Sequence, residues 1–288
     1  MDSQASSDLP MSHPSLGLDH VVIFVDDLQR ASEDYAALGF EVVPGGAHAG
    51  GLTHNALIPF ADSTYLELLA PTKRWKVAAF RLPGLRRLSR VVFRSSPSLR
   101  RVVRRVHAGE GLVDFAMACS PLAAAVEVLG DSQHVEGPIP GGRTRPDGEQ
   151  VAWQVAFPDA PVLPFLIEDT TPRALRVPPA KTHPCGATGI HAVSIATGSF
   201  DRTVALYKTL LGREPFETVA PIPRSLAVEF RLGATLLRVL APMGANPVLR
   251  THLARRGEGL YNLILRADRS SNLDPVRAHG AQITLARS

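Results

Sequence analysis

The chain has 288 residues, of which 45% are hydrophobic and 20% charged, so it can bury a sizeable core and does not have a disordered composition. Its formal net charge is +4, which is weakly basic for this length. No apolar run approaches the roughly 18 residues of a membrane-spanning helix, so we expect no membrane association.

The cysteines and the N-terminal sequence predict the cellular compartment of the protein. Cys119 and Cys185 lie far apart without CxxC spacing, which argues against a disulfide framework and suits a reducing compartment. The N-terminal stretch MDSQASSDLPMSHPS is polar and lacks the apolar segment of a secretory signal. We therefore predict a cytoplasmic protein with a disordered tail over residues 1–15.

The first predicted unit is a strand, a helix and three further strands. The strand is GLDHVVIFVDDL, and the helix LQRASEDYAALGF ends at Gly39, a suitable C-terminal cap. The strands that follow are FEVVPGG, HNALIPF and STYLELLAP. The order is therefore βαβββ.

This arrangement recurs along the chain. Similar strands begin at Gly111, Thr188 and Gly259, and the helix of the third unit ends at Gly212. The fourth unit stops after the strand AQITLARS. Turn signals such as PGG and PDG between the strands favour antiparallel pairing. The predicted fold class is α+β, with tandem βαβββ units forming curled, mostly antiparallel half-barrels and a truncated fourth unit.

Arginines are concentrated in GLRRLSR and SLRRVVRRVH, between Leu85 and His107. Their spacing at i, i+3 and i+4 favours one solvated helix face over a nucleic-acid site, so we predict no nucleic-acid partner. The glycine-rich GGAHAGG lacks the strand–GxGxxG–helix context of a dinucleotide site, and there is no P-loop. We therefore predict no nucleotide cofactor.

Two metal-capable side chains interrupt apolar strands. His20 lies in the first strand, and Glu67 lies in YLELLAP. One interpretation is a hydrogen-bonded core histidine and an ion-paired glutamate, although burying an unpaired carboxylate is costly. The other is a divalent metal, since imidazole and carboxylate together suit Zn, Fe, Mn, Ni or Co.

Tandem βαβββ units that carry DHVVIFVDDL and YLELLAP resemble the vicinal oxygen chelate superfamily, which contains glyoxalases, bleomycin-resistance proteins and extradiol dioxygenases. The stretch GFEVVPGGAHAGGLTHNALIPF, followed by GGRTRPDG, looks most like the glyoxalase-like domain proteins. The resemblance implies a first domain over residues 16–175 that carries the site and a second, degenerate domain over residues 176–288. It also implies a metal in the cup of the curled sheet, with His20 and Glu67 as ligands.

A third metal ligand is expected from His54. His54 and Asn55 are neighbours in a strand and alternate faces, so only one of them can point into the cup. The family pattern places His48 in the glycine-rich loop and Asn55 in the strand. His48 is therefore either a general base or a loop residue without a role.

The repeat also aligns residues between units. When the units are aligned on the first residue of their opening strands, Asp114 and His191 take the place of His20. In the third unit, Arg238 takes the place of Glu67. The arginine opposes metal binding, which makes the second domain degenerate. With Asp114 added, the candidate catalytic residues are His48, Glu67 and Asp114.

The segment GGRTRPDGEQVAWQ supplies candidates for substrate binding. Arg143 and Arg145 flank a turn in which proline and glycine fix the backbone, and Trp153 follows in the next strand. The planar guanidinium suits a carboxylate or enolate oxygen, and the indole suits a flat ligand. The alternative is a hairpin with solvated arginines. With Asn55, these residues form the predicted substrate site.

The leading hypothesis is a metal-dependent lyase or isomerase that moves a proton through an enolate-type intermediate of a small oxygenated substrate. A metal-free enzyme or a small-molecule-binding protein that uses the same cup is the alternative. An Fe(II) dioxygenase is a further alternative, and it depends on His54 pointing inward. A homodimer and a single chain are both compatible with the truncated fourth unit.

Overall fold

The computed structural model describes residues 14–82, 84 and 96–287. The predicted disordered tail, residues 1–15, lies outside the described residues except for its last two, and Ser15 already belongs to the first strand. Residues 85–95 of the arginine-rich segment also lie outside them. Among the described helices, none is both long and apolar enough to cross a membrane.

Eight strands from the first two units form one closed barrel in the order β1-β4-β3-β2-β6-β7-β8-β5. Within it, β1 pairs in parallel with β4, and β5 with β8, while the other neighbours are antiparallel. The strands are β1 (Ser15–Phe24), β2 (Val43–His48), β3 (Thr53–Pro59), β4 (Tyr65–Pro71), β5 (Gly111–Ser120), β6 (Val135–Thr144), β7 (Gln150–Pro158) and β8 (Phe165–Asp169).

The third and fourth units form a separate seven-stranded sheet in the order β10-β11-β12-β9-β13-β15-β14. Its strands are β9 (Gly189–Ala196), β10 (Phe216–Glu217), β11 (Ser225–Leu232), β12 (Thr235–Pro242), β13 (Gly259–Ala267), β14 (Ser271–Asn272) and β15 (Ile283–Arg287). In the fourth unit, residues 275–280 between β14 and β15 form a turn. The predicted α+β class with curled, mostly antiparallel sheets is confirmed.

Capping residues mark one end of each of the two helices that the sequence delimits most clearly. In the first helix, Asp27 accepts a hydrogen bond from the backbone of Arg30 as the N-cap, and the helix of the third unit ends at Gly212 in the left-handed conformation. The described helices are α1 (Leu28–Ala37), α2 (Arg74–Arg81), α3 (Pro97–Ala108), α4 (Leu122–Gly130), α5 (Arg173–Arg176), α6 (Phe200–Leu211) and α7 (Pro247–Arg256).

Strand β1 is buried on both faces, which explains its nearly continuous apolar sequence. Val21 and Ile23 belong to the main core outside the barrel, which also contains Tyr35 of α1. Val22 belongs to a smaller apolar cluster of barrel residues. Because side chains alternate along a strand, His20 lies on the same inner face as Val22.

Strand register corrects one alignment between the units. In the barrel Val22 is opposite Glu67, and in the second sheet Ser194 is opposite Arg238, so with Arg238 in the place of Glu67, Ser194 takes the place of Val22. Counted from these pairs, His191 corresponds to Asp19 rather than to His20. Alignment on the strand starts therefore placed His191 one residue out of register.

The prediction of a solvated arginine face is wrong for part of α3. Arg101 is 3% exposed, and its Nε donates to Asp114 Oδ2 at 2.6 Å. Arg105 Nε donates to the same oxygen at 2.9 Å. These two arginines of the helix therefore face inward, where the buried carboxylate of Asp114 balances their positive charges.

Candidate functional site

The barrel encloses a cavity of about 270 Å³. Its walls combine ionisable side chains from β1, β2, β4 and β6 with aromatic side chains from β7 and β8. Residues two apart along β4, Tyr65, Glu67 and Leu69, all line it, as expected for one face of a strand. The cavity therefore brings titratable groups into apolar surroundings.

Glu67 lies between two histidines. His20 Nε2 is 3.4 Å from Glu67 Oε2, and His48 Nε2 is 3.5 Å from Glu67 Oε1. Asn55 Nδ2 donates to Oε1 at 2.6 Å. Burial raises the pKa of Glu67, but the hydrogen bonds and charges of these neighbours outweigh it and hold the pKa well below its ordinary value. The carboxylate is therefore ionised and is a weak base.

His20 is held by the residue that precedes it. Strand β1 has a bulge against β5 between Leu18 and His20, which changes the regular alternation at Asp19. Asp19 Oδ2 accepts a hydrogen bond from His20 Nδ1 at 2.6 Å. Burial lowers the pKa of His20, but Asp19 and Glu67 outweigh it and raise the pKa above 6.5, which favours the imidazolium.

His48 has the opposite protonation preference. It ends β2, and its Nδ1 lies 3.0 Å from Thr53 Oγ1 at the start of β3. Burial lowers the pKa of His48 below 6.5; Glu67 raises it, whereas Arg143 and Arg105 lower it further. His48 is therefore neutral at neutral pH. The pKa values of the two imidazoles beside Glu67 are therefore shifted in opposite directions.

Asn55 and Arg143 are both at the site, as the sequence predicted them to be near a substrate. A side chain at Gly45 would overlap the Asn55 amide, so glycine at this position of β2 lets Asn55 lie against the neighbouring strand. Arg143 Nη1 donates to Asn55 Oδ1 at 3.3 Å, and Nη2 donates to the Arg176 carbonyl at 2.8 Å. Arg143 lines the cavity and is 5% exposed.

Trp153 and Arg145 lie in different places. Trp153 lines the cavity with its ring edge-on to His48, at 6.2 Å between centroids. Arg145 does not line the cavity; its Nη2 pairs with Asp147 Oδ2 at 2.6 Å. Because Arg143 and Arg145 are separated by the end of β6, the second arginine belongs to the turn rather than to the cup.

Asp114 does not line the cavity either, although its position in the unit matches that of His20. Arg105, which pairs with Asp114, occupies the wall, and its guanidinium carbon lies 5.3 Å from the Phe165 ring centroid. Burial raises the pKa of Asp114, but Arg101 and Arg105 outweigh it and hold the pKa well below its ordinary value. The carboxylate predicted to be catalytic is thus ionised, is paired with two arginines and does not line the cavity.

His54, the predicted third metal ligand, does not reach the cup. It does not line the cavity, whereas its neighbour Asn55 does, in agreement with the alternation along β3. Among the described residues, no group of three or more His, Cys, Asp or Glu side chains is arranged to hold a metal ion. The cations Arg143 and Arg105 also line the same cavity. His20, Glu67 and His48 lie close together, but they are not arranged as metal ligands, so the residues as placed do not fit a divalent metal.

The sequence prediction missed several cavity residues. Tyr65 stacks on His20 at 4.5 Å between ring centroids, and its hydroxyl accepts a hydrogen bond from Arg176 at 2.7 Å. Arg176 also pairs with Asp19 and Asp169. Tyr65 precedes Glu67 by two residues, so strand periodicity alone could have found it. Arg176 comes from the short helix α5 after the barrel, and nothing local in the sequence marks it.

The chain has relatives of known family and structure. The glyoxalase-like domain family matches residues 18–211, which confirms the resemblance inferred from the sequence. Curated proteins give no match. A hypothetical protein from Staphylococcus aureus is similar over 95% of this chain and 100% of its own, at 15% identity and a TM-score of 0.67. A methylmalonyl-CoA epimerase from Mycobacterium tuberculosis is similar over 35% of this chain and 89% of its own, at 18% identity and a TM-score of 0.30.

Proposed function

Since the chain belongs to the glyoxalase-like domain family, we propose that it is an enzyme that moves a proton on the carbon beside a carbonyl group of a small oxygenated substrate. This is enolate-type chemistry of the isomerase or lyase class. The supporting observation is the pair of histidines on the two oxygens of Glu67, with pKa values shifted in opposite directions. Such divergent pairs are characteristic of acid and base partners.

In this proposal His48 is the general base. When its Nδ1–H donates to Thr53 Oγ1, the lone pair of Nε2 is free for a substrate proton. The 3.5 Å separation from Glu67 Oε1 is longer than an ordinary hydrogen bond, so Nε2 is not firmly occupied. Once protonated, the imidazolium lies beside the Glu67 carboxylate, which stabilises it.

His20 is the electrophile in the same proposal. Its imidazolium, held by Asp19 on one side and near Glu67 on the other, stabilises negative charge that develops on the substrate oxygen. Tyr65 stacked on the ring restricts its rotation. The buried environment strengthens this interaction relative to water. Glu67 thus positions both histidines and does not itself need to accept the proton.

We assign the proton transfer to these side chains and derive no step through a metal ion, because the residues as arranged do not fit one. The Fe(II) dioxygenase alternative depended on His54, which does not line the cavity. A small-molecule-binding protein is the second candidate. It is favoured by the aromatic wall of the cavity, to which Trp153, Phe157 and Phe165 belong.

Solvent exchange distinguishes the two candidates. A panel of small carbonyl compounds with one acidic C–H bond is incubated in D₂O, and loss of that proton is followed by NMR. We expect the protein to accelerate exchange of at least one compound and His48→Gln to reduce that rate by about 10²–10⁴-fold. His134→Gln, which changes an exposed histidine outside the cavity, is the matched control. Saturable binding without exchange would support the binding protein instead.

A further inference from the structure

Three arginines line the cavity, and two of them have carboxylate partners. Arg105 pairs with Asp114, and Arg176 pairs with Asp19 and Asp169. These partners compensate the two guanidinium charges inside the protein.

Arg143 is the third, and no carboxylate of the described residues pairs directly with it. Its two terminal nitrogens donate to neutral acceptors, the Asn55 amide oxygen and the Arg176 carbonyl. Its Nε is buried and has no hydrogen-bond partner in the part of the chain that the structure describes. Among the described residues, none of the ion pairs includes Arg143. Glu67 acts on Arg143 only across Asn55. A buried guanidinium without a directly paired carboxylate is unfavourable, and its planar fork is suited to receive one. Arg143 therefore points to an anionic ligand.

The other residues that line the cavity indicate the chemical nature of the rest of the anionic ligand. Trp153, Phe157 and Phe165 contribute aromatic rings, and Val155, Ile167 and Leu69 contribute aliphatic surface. The volume of about 270 Å³ lies just below the range of roughly 300–1,000 Å³ for ligand pockets, which favours a compact ligand of about one ring. Aromatic side chains bind flat ligands by offset or edge-to-face contact.

Arg143 is also connected to the reacting groups. Asn55 accepts from Arg143 Nη1 and donates to Glu67 Oε1, so one amide links the cation to the central carboxylate. A carboxylate on Arg143 would therefore bring its neighbouring carbon to the side of the cavity that holds Glu67 and His48. Resting on the proton-transfer function above, we propose that the substrate is a compact, flat monocarboxylate whose carboxylate binds Arg143 and whose apolar body packs on Trp153.

Tryptophan fluorescence tests this substrate class without requiring turnover. The chain has two tryptophans, and Trp75 is 68% exposed, so Trp75→Phe leaves Trp153 as the single reporter. The probes are phenylacetate and its neutral isostere phenylacetamide. We expect phenylacetate to change Trp153 emission saturably and to bind at least about tenfold more tightly than the amide, as one charged hydrogen-bonded contact supports.

Variants of Arg143 complete the test. Arg143→Gln should bind both probes with the same weak affinity, while Arg143→Lys should keep a smaller preference for the acid because it retains charge but not the planar fork. Arg231→Gln, which changes an exposed arginine of the second sheet, is the control and should bind like the parent. Thermal unfolding of each variant verifies that it is folded. Equal affinity for acid and amide in the parent, no binding of either, or a preference that survives in Arg143→Gln would overturn the proposal.

The substrate class and the proton-transfer function can fail separately. Acid-selective, Arg143-dependent binding without exchange of any carbonyl compound would keep the ligand class and remove the enzymatic function. Exchange of a neutral carbonyl compound that is unaffected by Arg143→Gln would keep the function and remove the ligand class.

Discussion

Gly141 of β6 lies directly beneath the indole of Trp153 on the paired strand β7. A Cβ at Gly141 would overlap the indole nitrogen. Glycine at this position is therefore what allows the ring to lie across the neighbouring strand at the cavity wall. The prediction of Trp153 as a ligand-stacking residue depends on this contact.

We expect Gly141→Ala to displace Trp153 and to weaken phenylacetate binding about two- to tenfold, the range that corresponds to one aromatic contact. In the Trp75→Phe background, the emission maximum of Trp153 should shift as well. Gly17→Ala in β1, where no atom lies within 4 Å of the added methyl group, is the control. Unchanged emission and affinity in Gly141→Ala would show that the ring does not depend on this glycine.

The opposite pKa shifts of the two histidines predict a bell-shaped pH profile for exchange. His48 must be neutral, so activity is lost as pH falls through its pKa, which burial lowers below 6.5. His20 must be protonated, so activity is lost as pH rises through its pKa, which Asp19 and Glu67 raise above 6.5 against the effect of burial. The maximum should lie between the two limbs.

The profile is measured as the exchange rate at low substrate concentration between pH 4 and pH 10, and the two limbs are assigned by substitution. Asp19→Asn should move the alkaline limb to lower pH, because His20 loses the carboxylate that stabilises its imidazolium. An acid limb above 6.5 in the parent would contradict the role of His48.

Much of the site was predictable because strand periodicity is local. His20, Glu67 and Asn55 each lie on an inward-facing position of an apolar strand, and all three line the cavity. His48 was predicted as a loop residue and candidate base, but it ends β2, and its distance from Glu67 depends on how β2, β3 and β4 lie side by side in the barrel. Sequence spacing does not specify that arrangement.

The predicted site residues Asp114 and Arg145 do not line the cavity, because periodicity specifies neither how a helix packs on a strand nor where a strand ends. Asp114 has the strand position of a site residue, yet two arginines from α3 cover it. The repeat pattern contains no information about which helix packs on which strand. Arg145 was grouped with Arg143 because they are close in sequence, but the strand ends between them. Periodicity therefore predicted which face a side chain occupies, and packing decided whether that face was open.

Metal removal tests the assignment of catalysis to side chains. Because no group of three or more His, Cys, Asp or Glu side chains among the described residues is arranged to hold a metal ion, we expect exchange to be unchanged within about twofold after dialysis against EDTA, since catalytic zinc or iron normally has three protein ligands. His54→Gln should likewise leave the rate unchanged. Loss of exchange on dialysis, with recovery on adding Zn²⁺, Mn²⁺ or Fe²⁺, would instead support the metal-dependent mechanism that the sequence favoured. Elemental analysis of the untreated protein supplies the stoichiometry.

Asp114→Asn separates a structural role from a catalytic one. The substitution leaves Arg101, which is 3% exposed, without its charge partner, and breaking a buried pair typically costs about 3–5 kcal/mol. We expect a loss of that order in the free energy of urea unfolding at pH 7, with exchange per folded molecule retained. Asp147→Asn, which removes a more exposed partner of Arg145, should cost no more than about 1 kcal/mol.

The difference in unfolding free energy between the parent and Asp114→Asn should also depend on pH, which gives an independent check. The pKa of Asp114 is lower in the folded state than its unfolded-state value of 3.8. The ionised carboxylate therefore stabilises the protein at pH values above 3.8, and this stabilisation is lost as pH falls through the folded-state pKa. The stability difference between parent and Asp114→Asn should therefore be constant near neutral pH and shrink under acid conditions. A small stability loss accompanied by a large loss of exchange would restore the catalytic role that the sequence suggested for Asp114.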